Sequence, residues 1–114
     1  MERNIQSKSF RFAVRIVKLC KHLQEERREY ILSKQLMRSG TSIGANIAEA
    51  QQAQSRPDFI SKLNISLKET SETSYWLRLL HATDYLTKME FESLMADCVE
   101  IEKILTASIK SLKD

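Results

Sequence analysis

Two glycines and one proline serve a chain of 114 residues, and that scarcity constrains the fold more than any motif does. A β-sandwich or small barrel requires turn residues every ~8–12 positions, which three such residues do not supply. A glycine-rich phosphate loop is excluded for the same reason. With 42% hydrophobic and 29% charged residues, the chain has the apolar material for a core and is not a disordered tail. What remains is a set of long helices joined by few turns. The length suits a single domain, residues 1–114.

Two helix starts are written plainly. Ser55-Arg56-Pro57-Asp58 places a capping Ser three residues before an acid, with Pro in the first turn, where its missing N–H costs nothing. From there Phe59, Ile60, Leu63, Leu67, Thr70, Ser74, Leu77 and Leu80 recur at steps of three and four up to about Ala82. Thr87-Lys88-Met89-Glu90 is a second capping box. It opens a helix whose stripe is Phe91, Leu94, Met95, Cys98, Ile101, Leu105, Ile109 and Leu112.

An earlier helix runs from about Ser7 to Gln24. At ~100° per residue, Lys8, Arg11, Arg15, Lys18 and His22 fall within an arc of roughly 80°. Phe10, Phe12, Ala13, Val14, Ile16, Val17, Leu19, Cys20 and Leu23 cover roughly 220° of the remainder. A stripe that faces one core needs little more than ~100°. The excess predicts contact with a second surface, hence an oligomer.

Between these lies a helix predicted from about Arg28 to Gln54, with Tyr30, Ile31, Met37, Ile43, Ile47 and Ala50 at helical spacing. Gly40 and Gly44 inside it cost about 1 kcal/mol each against Ala. Gly40, Gly44 and Ala48 follow one another at i, i+4 and i+8, a small-residue face that allows close approach of a neighbouring helix; a kink at Gly40 is the alternative. Four helices with short links predict an all-α, antiparallel up-down-up-down four-helix bundle.

The stretch from Tyr30 to Leu80 carries three blocks: SIGANIAEA (Ser42 to Ala50), DFI…L…SLKE (Asp58 to Glu69) and ET.YWL (Glu72 to Leu77). With Arg15-Ile16-Val17, they resemble the four-helix-bundle proteins encoded in intervening sequences of bacterial large-subunit ribosomal RNA genes. That family includes the accessory variability determinant of diversity-generating retroelements. The resemblance implies an antiparallel bundle assembled as a barrel-like homopentamer. In the retroelement branch it implies binding of a reverse transcriptase and of nucleic acid through a basic surface.

Charge is divided unevenly along the chain. Residues 1–48 hold ten Lys and Arg against four acids, a net of +6, and residues 49–114 carry −3. Between Arg3 and Gln24 there are six basic side chains and no acid. Such asymmetry predicts a polyanion or an acidic partner. Arg11, Arg15, Lys18 and Lys21 on the first helix are the candidate phosphate contacts. Arg27, Lys34 and Arg38 on the second lie close in angle, and two antiparallel helices would join both sets into one stripe without an internal acid. No aromatic RNA-module signature accompanies them, so the expected binding is not base-specific.

Other chemistry finds little support in the sequence. A di-iron bundle needs Glu-x-x-His, but His22 and His81 are preceded at that spacing by Leu19 and Arg78. Cys20 and His22 point about 160° apart on one helix and cannot pair. Glu49, and Glu69 and Glu72 on one face with Trp76, are expected to make inter-helix or inter-subunit hydrogen bonds and ion pairs, with Asn46 and Asn64 as partners; a ligand or metal pocket is the alternative. No metal, cofactor or catalytic residue is assigned. Cys20 and Cys98 form no metal-ligand or redox spacing, and no run reaches ~18 apolar residues. The Met1-Glu2-Arg3-Asn4 opening resembles no signal peptide. The sequence thus predicts a cytoplasmic, non-enzymatic homo-oligomer that binds nucleic acid without sequence specificity. The alternative is an adaptor that docks an acidic partner such as a reverse transcriptase.

Overall fold

A computed structural model describes residues 3–113. Met1, Glu2, Asp114 and the side chains of Arg3 and Asn4 lie outside the described residues, and with them most of the Met1-Glu2-Arg3-Asn4 segment. The chain forms α1 (Arg3–Glu25), α2 (Leu32–Ala50), α3 (Arg56–Ala82) and α4 (Lys88–Lys113). Each helix packs against the next, and α4 returns to α1 through the loosest of the four contacts. Pairings run in opposite residue order: Ser9 lies against Gly44 and Ile16 against Gly40. Likewise Lys8 meets Glu100 and Arg15 meets Asp97. This is the all-α, up-down-up-down bundle that the sequence predicts. Its 44 × 21 × 19 Å extent is about one α3 length by two helix diameters.

The predicted caps of α3 and α4 are present. Asp58 N–H donates to Ser55 Oγ at 3.2 Å, and Ser55 itself is extended. At α4, Thr87 N–H donates to Glu90 Oε1 (2.8 Å) and Glu90 N–H to Thr87 Oγ1 (3.1 Å). These reciprocal bonds satisfy donors that a helix start leaves unpaired.

The second helix is shorter than predicted at both ends. Arg28 takes a left-handed backbone conformation, φ 55°, which ends the turn out of α1. The Glu29 carboxylate then receives N–H bonds from Ile31, Leu32 and Ser33 at 3.1, 3.0 and 2.7 Å. Tyr30 and Ile31 therefore precede the helix and are 53% and 76% exposed, off the stripe their spacing suggested. At the other end Gln51, Gln52 and Ala53 close tight three-residue turns onto Ala48, Glu49 and Ala50. Between these limits α2 is continuous through Gly40, so no kink separates two pieces.

The core is built from Ile5, Phe12, Ile16, Cys20 and Leu23 of α1 with Leu36, Ile43 and Ile47 of α2. Leu63, Leu77 and Leu80 of α3 and Leu94, Cys98, Ile101, Leu105 and Ile109 of α4 join it, with Ala50 and Leu86 at its ends. Buried hydroxyls run through the α2/α3 contact. Ser66 Oγ donates to the Ile43 carbonyl at 2.8 Å, and Thr73 Oγ1 to Ser39 Oγ at 2.9 Å.

Candidate nucleic-acid interface

The basic ladder of α1 is present as an exposed edge, but its neighbour is α4. The small-residue face of α2 turns toward the apolar side of α1, which leaves the ladder beside α4 and its acids. Lys8 Nζ pairs with Glu100 at 2.9 Å. Arg15 bonds Asp97 Oδ2 at 2.6 Å through Nη1 and Ser93 Oγ at 2.8 Å through Nη2. Arg11 donates to Ser7 Oγ within its own helix.

The single stripe expected from the sequence is not formed. Arg38 lies over α3, paired with Glu69 at 3.1 Å and also with Glu72, which accepts a bond from Trp76 Nε1. Arg27 is in the α1–α2 link, its guanidinium 4.8 Å above the Tyr85 ring. Asn46 and Asn64, expected as partners of the glutamates, instead donate to the Ser42 and Ile60 carbonyls of their own helices. Glu49 pairs with Lys62 across α2 and α3.

Lys18, Lys21 and Lys34 are exposed, and among the described residues none has an acidic partner. Of the predicted phosphate contacts, they and Arg11 are the ones left available, since an exposed pair such as Lys8–Glu100 adds at most about 1 kcal/mol of stability yet cancels the local charge. Lys18 and His22 stand at the rim of a cleft of about 350 Å³ between α1 and α4, lined also by Arg15, Leu19, Glu90 and Leu94.

A second, apolar groove of about 390 Å³ runs between α1 and α2. Phe10, Ala13, Gly44, Ala45 and Ala48 line it, and Phe10 is 69% exposed. Gly40 and Gly44 permit the close approach beneath: a β-carbon on Gly40 falls 2.8 Å from Ile16 Cγ2, and one on Gly44 3.3 Å from Ser9 Oγ. Ala48 is exposed and borders the groove without being covered.

Both thiols are free and buried. Burial, with a smaller contribution from Glu29, pushes Cys20 up to about 12, and its Sγ donates to the Ser33 carbonyl. Burial beside Glu102 and Asp97 likewise pushes Cys98 up to about 12. A thiol must ionise to act as a nucleophile or metal ligand. Among the described residues no group of three or more His, Cys, Asp or Glu is placed to hold a metal ion. Among them, too, no helix is long and apolar enough to cross a membrane.

These features define a class: an all-α four-helix bundle with a basic edge on α1, an apolar groove on the opposite flank and buried core thiols. The chain belongs to the 23S rRNA-intervening sequence protein family, whose sequence profile matches residues 1–107. A solved structure from Bacteroides thetaiotaomicron, described as a protein of unknown function from the S23 ribosomal protein family, is similar to it. The two chains share 58% identity with a TM-score of 0.92, over 93% of this chain and 98% of that one. No curated protein matches the chain.

Proposed function

We propose that this protein is a non-enzymatic homo-oligomer that binds nucleic acid without base specificity through the α1 edge. The observation that carries the reading is that four of the predicted contacts, Arg11, Lys18 and Lys21 of α1 and Lys34 of α2, are exposed and, among the described residues, without an acidic partner, on the half of the chain with a net charge of +6. Lys and Arg in such positions neutralise phosphates and release counterions. The uncovered groove beside Phe10 is the surface a second copy would cover, and a ring of five copies is the number that the family resemblance implies. Repetition around a ring multiplies the basic edge into one field.

A second reading, an adaptor for an acidic protein such as a reverse transcriptase, is favoured by exposed Tyr30 and Ile31 beside Arg27 and Arg28. Exposed apolar side chains among cations suit a protein partner better than a phosphate backbone. Pull-down from cell extract with and without nuclease separates the two. Nucleic acid recovered with the bait, and protein partners released by nuclease, is the result expected here. Partners that survive nuclease favour the adaptor. Light scattering that gives the mass of one chain, 13.2 kDa, removes the oligomer from the reading.

A further inference from the structure

The cleft between α1 and α4 has a chemistry that a plain phosphate-binding edge does not require. Its rim carries Lys18, His22 and Arg15, and its floor is Leu19 and Leu94. Arg15 is fixed in place by Asp97 and Ser93, so its guanidinium shapes the rim while the Lys18 ammonium remains available. Glu90 is the one acid among the lining residues. Its Oε1 is occupied at the start of α4, where it accepts the Thr87 N–H bond. At about 350 Å³ the cleft falls at the small end of the ~300–1,000 Å³ range of ligand pockets, and it sets four polar or charged side chains around two leucines.

We infer that this cleft receives one unpaired base of a single-stranded nucleic acid, with Lys18 at its rim holding the adjoining phosphate. This rests on the nucleic-acid reading above and adds to it a preference for single strands. A duplex keeps its bases stacked inside and presents only phosphates to the edge. An unpaired nucleotide splays its base outward, where a planar side chain such as the His22 imidazole can take the ring face and cations take the backbone. Every base has such a face, so the site prefers single strands without reading sequence.

The test compares a dye-labelled oligo-uridine strand with a hairpin duplex carrying the same number of phosphates, by fluorescence anisotropy in one salt series. The wild-type protein is expected to bind the single strand at least fivefold more tightly. Leu19→Gln and Leu94→Gln, which make the floor polar, should each remove that preference and leave duplex affinity unchanged. Because Leu94 is buried, the wild-type protein provides a readout independent of variant folding. Titration with a uridine tetranucleotide should shift the Leu19 and Leu94 methyl resonances, and inorganic phosphate should not. Equal binding of strand and hairpin overturns the cleft proposal and leaves the basic edge standing; no binding of either overturns both. Methyl shifts produced by an acidic Glu-Leu peptide but not by the tetranucleotide make this a peptide site and also overturn the proposal.

Discussion

Gly40 and Ile16 meet across the α1/α2 interface so closely that a β-carbon on the glycine falls 2.8 Å from Ile16 Cγ2 and 3.2 Å from Ile16 Cβ. Atoms this near the Ile16 backbone cannot swing aside as a flexible chain end would. Gly40→Ala should therefore destabilise by about 1–3 kcal/mol through overpacking, after an offset of about 1 kcal/mol from better helix propensity. Gly44 is the internal control. Its added β-carbon meets Ser9 Oγ at 3.3 Å and the Ser9 backbone at 3.4 Å, a milder approach, so Gly44→Ala should destabilise less than Gly40→Ala. Thermal melts of the two variants side by side decide the matter, and equal melting temperatures would show that Ile16 does not fix the approach.

Glu29 ties α2 to the end of α1. Burial by itself raises its pKa, but the three N–H donors of Ile31, Leu32 and Ser33, with the Ser33 hydroxyl, outweigh that and hold the carboxyl below its ordinary value of 4.5. A depressed pKa means the native state binds the proton less readily than the unfolded chain. The resulting stability is complete above the ordinary value and is lost as pH falls through the depressed one. Glu29→Gln should cost about 1–2 kcal/mol near pH 7, the scale of a missing cap. The gap between variant and wild type should close as pH drops below about 4.5. A gap that stays constant to about pH 3, well below that ordinary value, would mean the carboxylate charge is not what holds the turn.

The two chain reversals at this end of the bundle use Arg28 and Asp84 at φ 55° and 69°, while neither glycine takes a positive φ. A side chain in that conformation costs about 1–2 kcal/mol, against the ~0.5–1 kcal/mol of extra unfolded-state freedom that glycine brings. Arg28→Gly and Asp84→Gly should each stabilise by up to about 1 kcal/mol and raise the melting temperature. The Asp84 gain should be the cleaner test, since its carbonyl, not its carboxylate, takes the Arg27 bond. Calorimetry that shows both variants melting below wild type would establish that these side chains hold their turns.

These turns also show where sequence reading stops. The α3 and α4 starts are legible because Ser55 with Asp58 and Thr87 with Glu90 cap at fixed spacing. The α2 start is not, because Glu29 caps with a longer side chain and Arg28 is no residue-type signal for a left-handed turn. In the same way the hydrophobic stripe of α3 omits Ser66 and Thr73, which are fully buried. Their hydroxyls are satisfied between α2 and α3, a fact that depends on the partner helix. The basic ladder on α1 is legible as an angle. Which helix lies beside it is not, because that follows from the Gly40–Ile16 approach on the other side of α1.

Placement beside α4 determines which cations bear on function. Removing Arg15 would also break its pair with Asp97, so the informative variant keeps it and changes Arg11, Lys18 and Lys21 to Gln. These exposed side chains have no acidic partner among the described residues, so stability should stay within about ±0.5 kcal/mol and the mass in solution should not change. Duplex affinity should fall, and the slope of log affinity against log salt should shrink by up to ~0.9 for each phosphate no longer neutralised. Arg38→Gln is the contrasting variant. Its guanidinium is held by Glu69 and Glu72, so the slope should hardly change, while the Trp76 environment beside Glu72 should respond in fluorescence. If the triple variant binds duplex with unchanged affinity and slope, the α1 edge is only a solvated face and the adaptor reading takes its place.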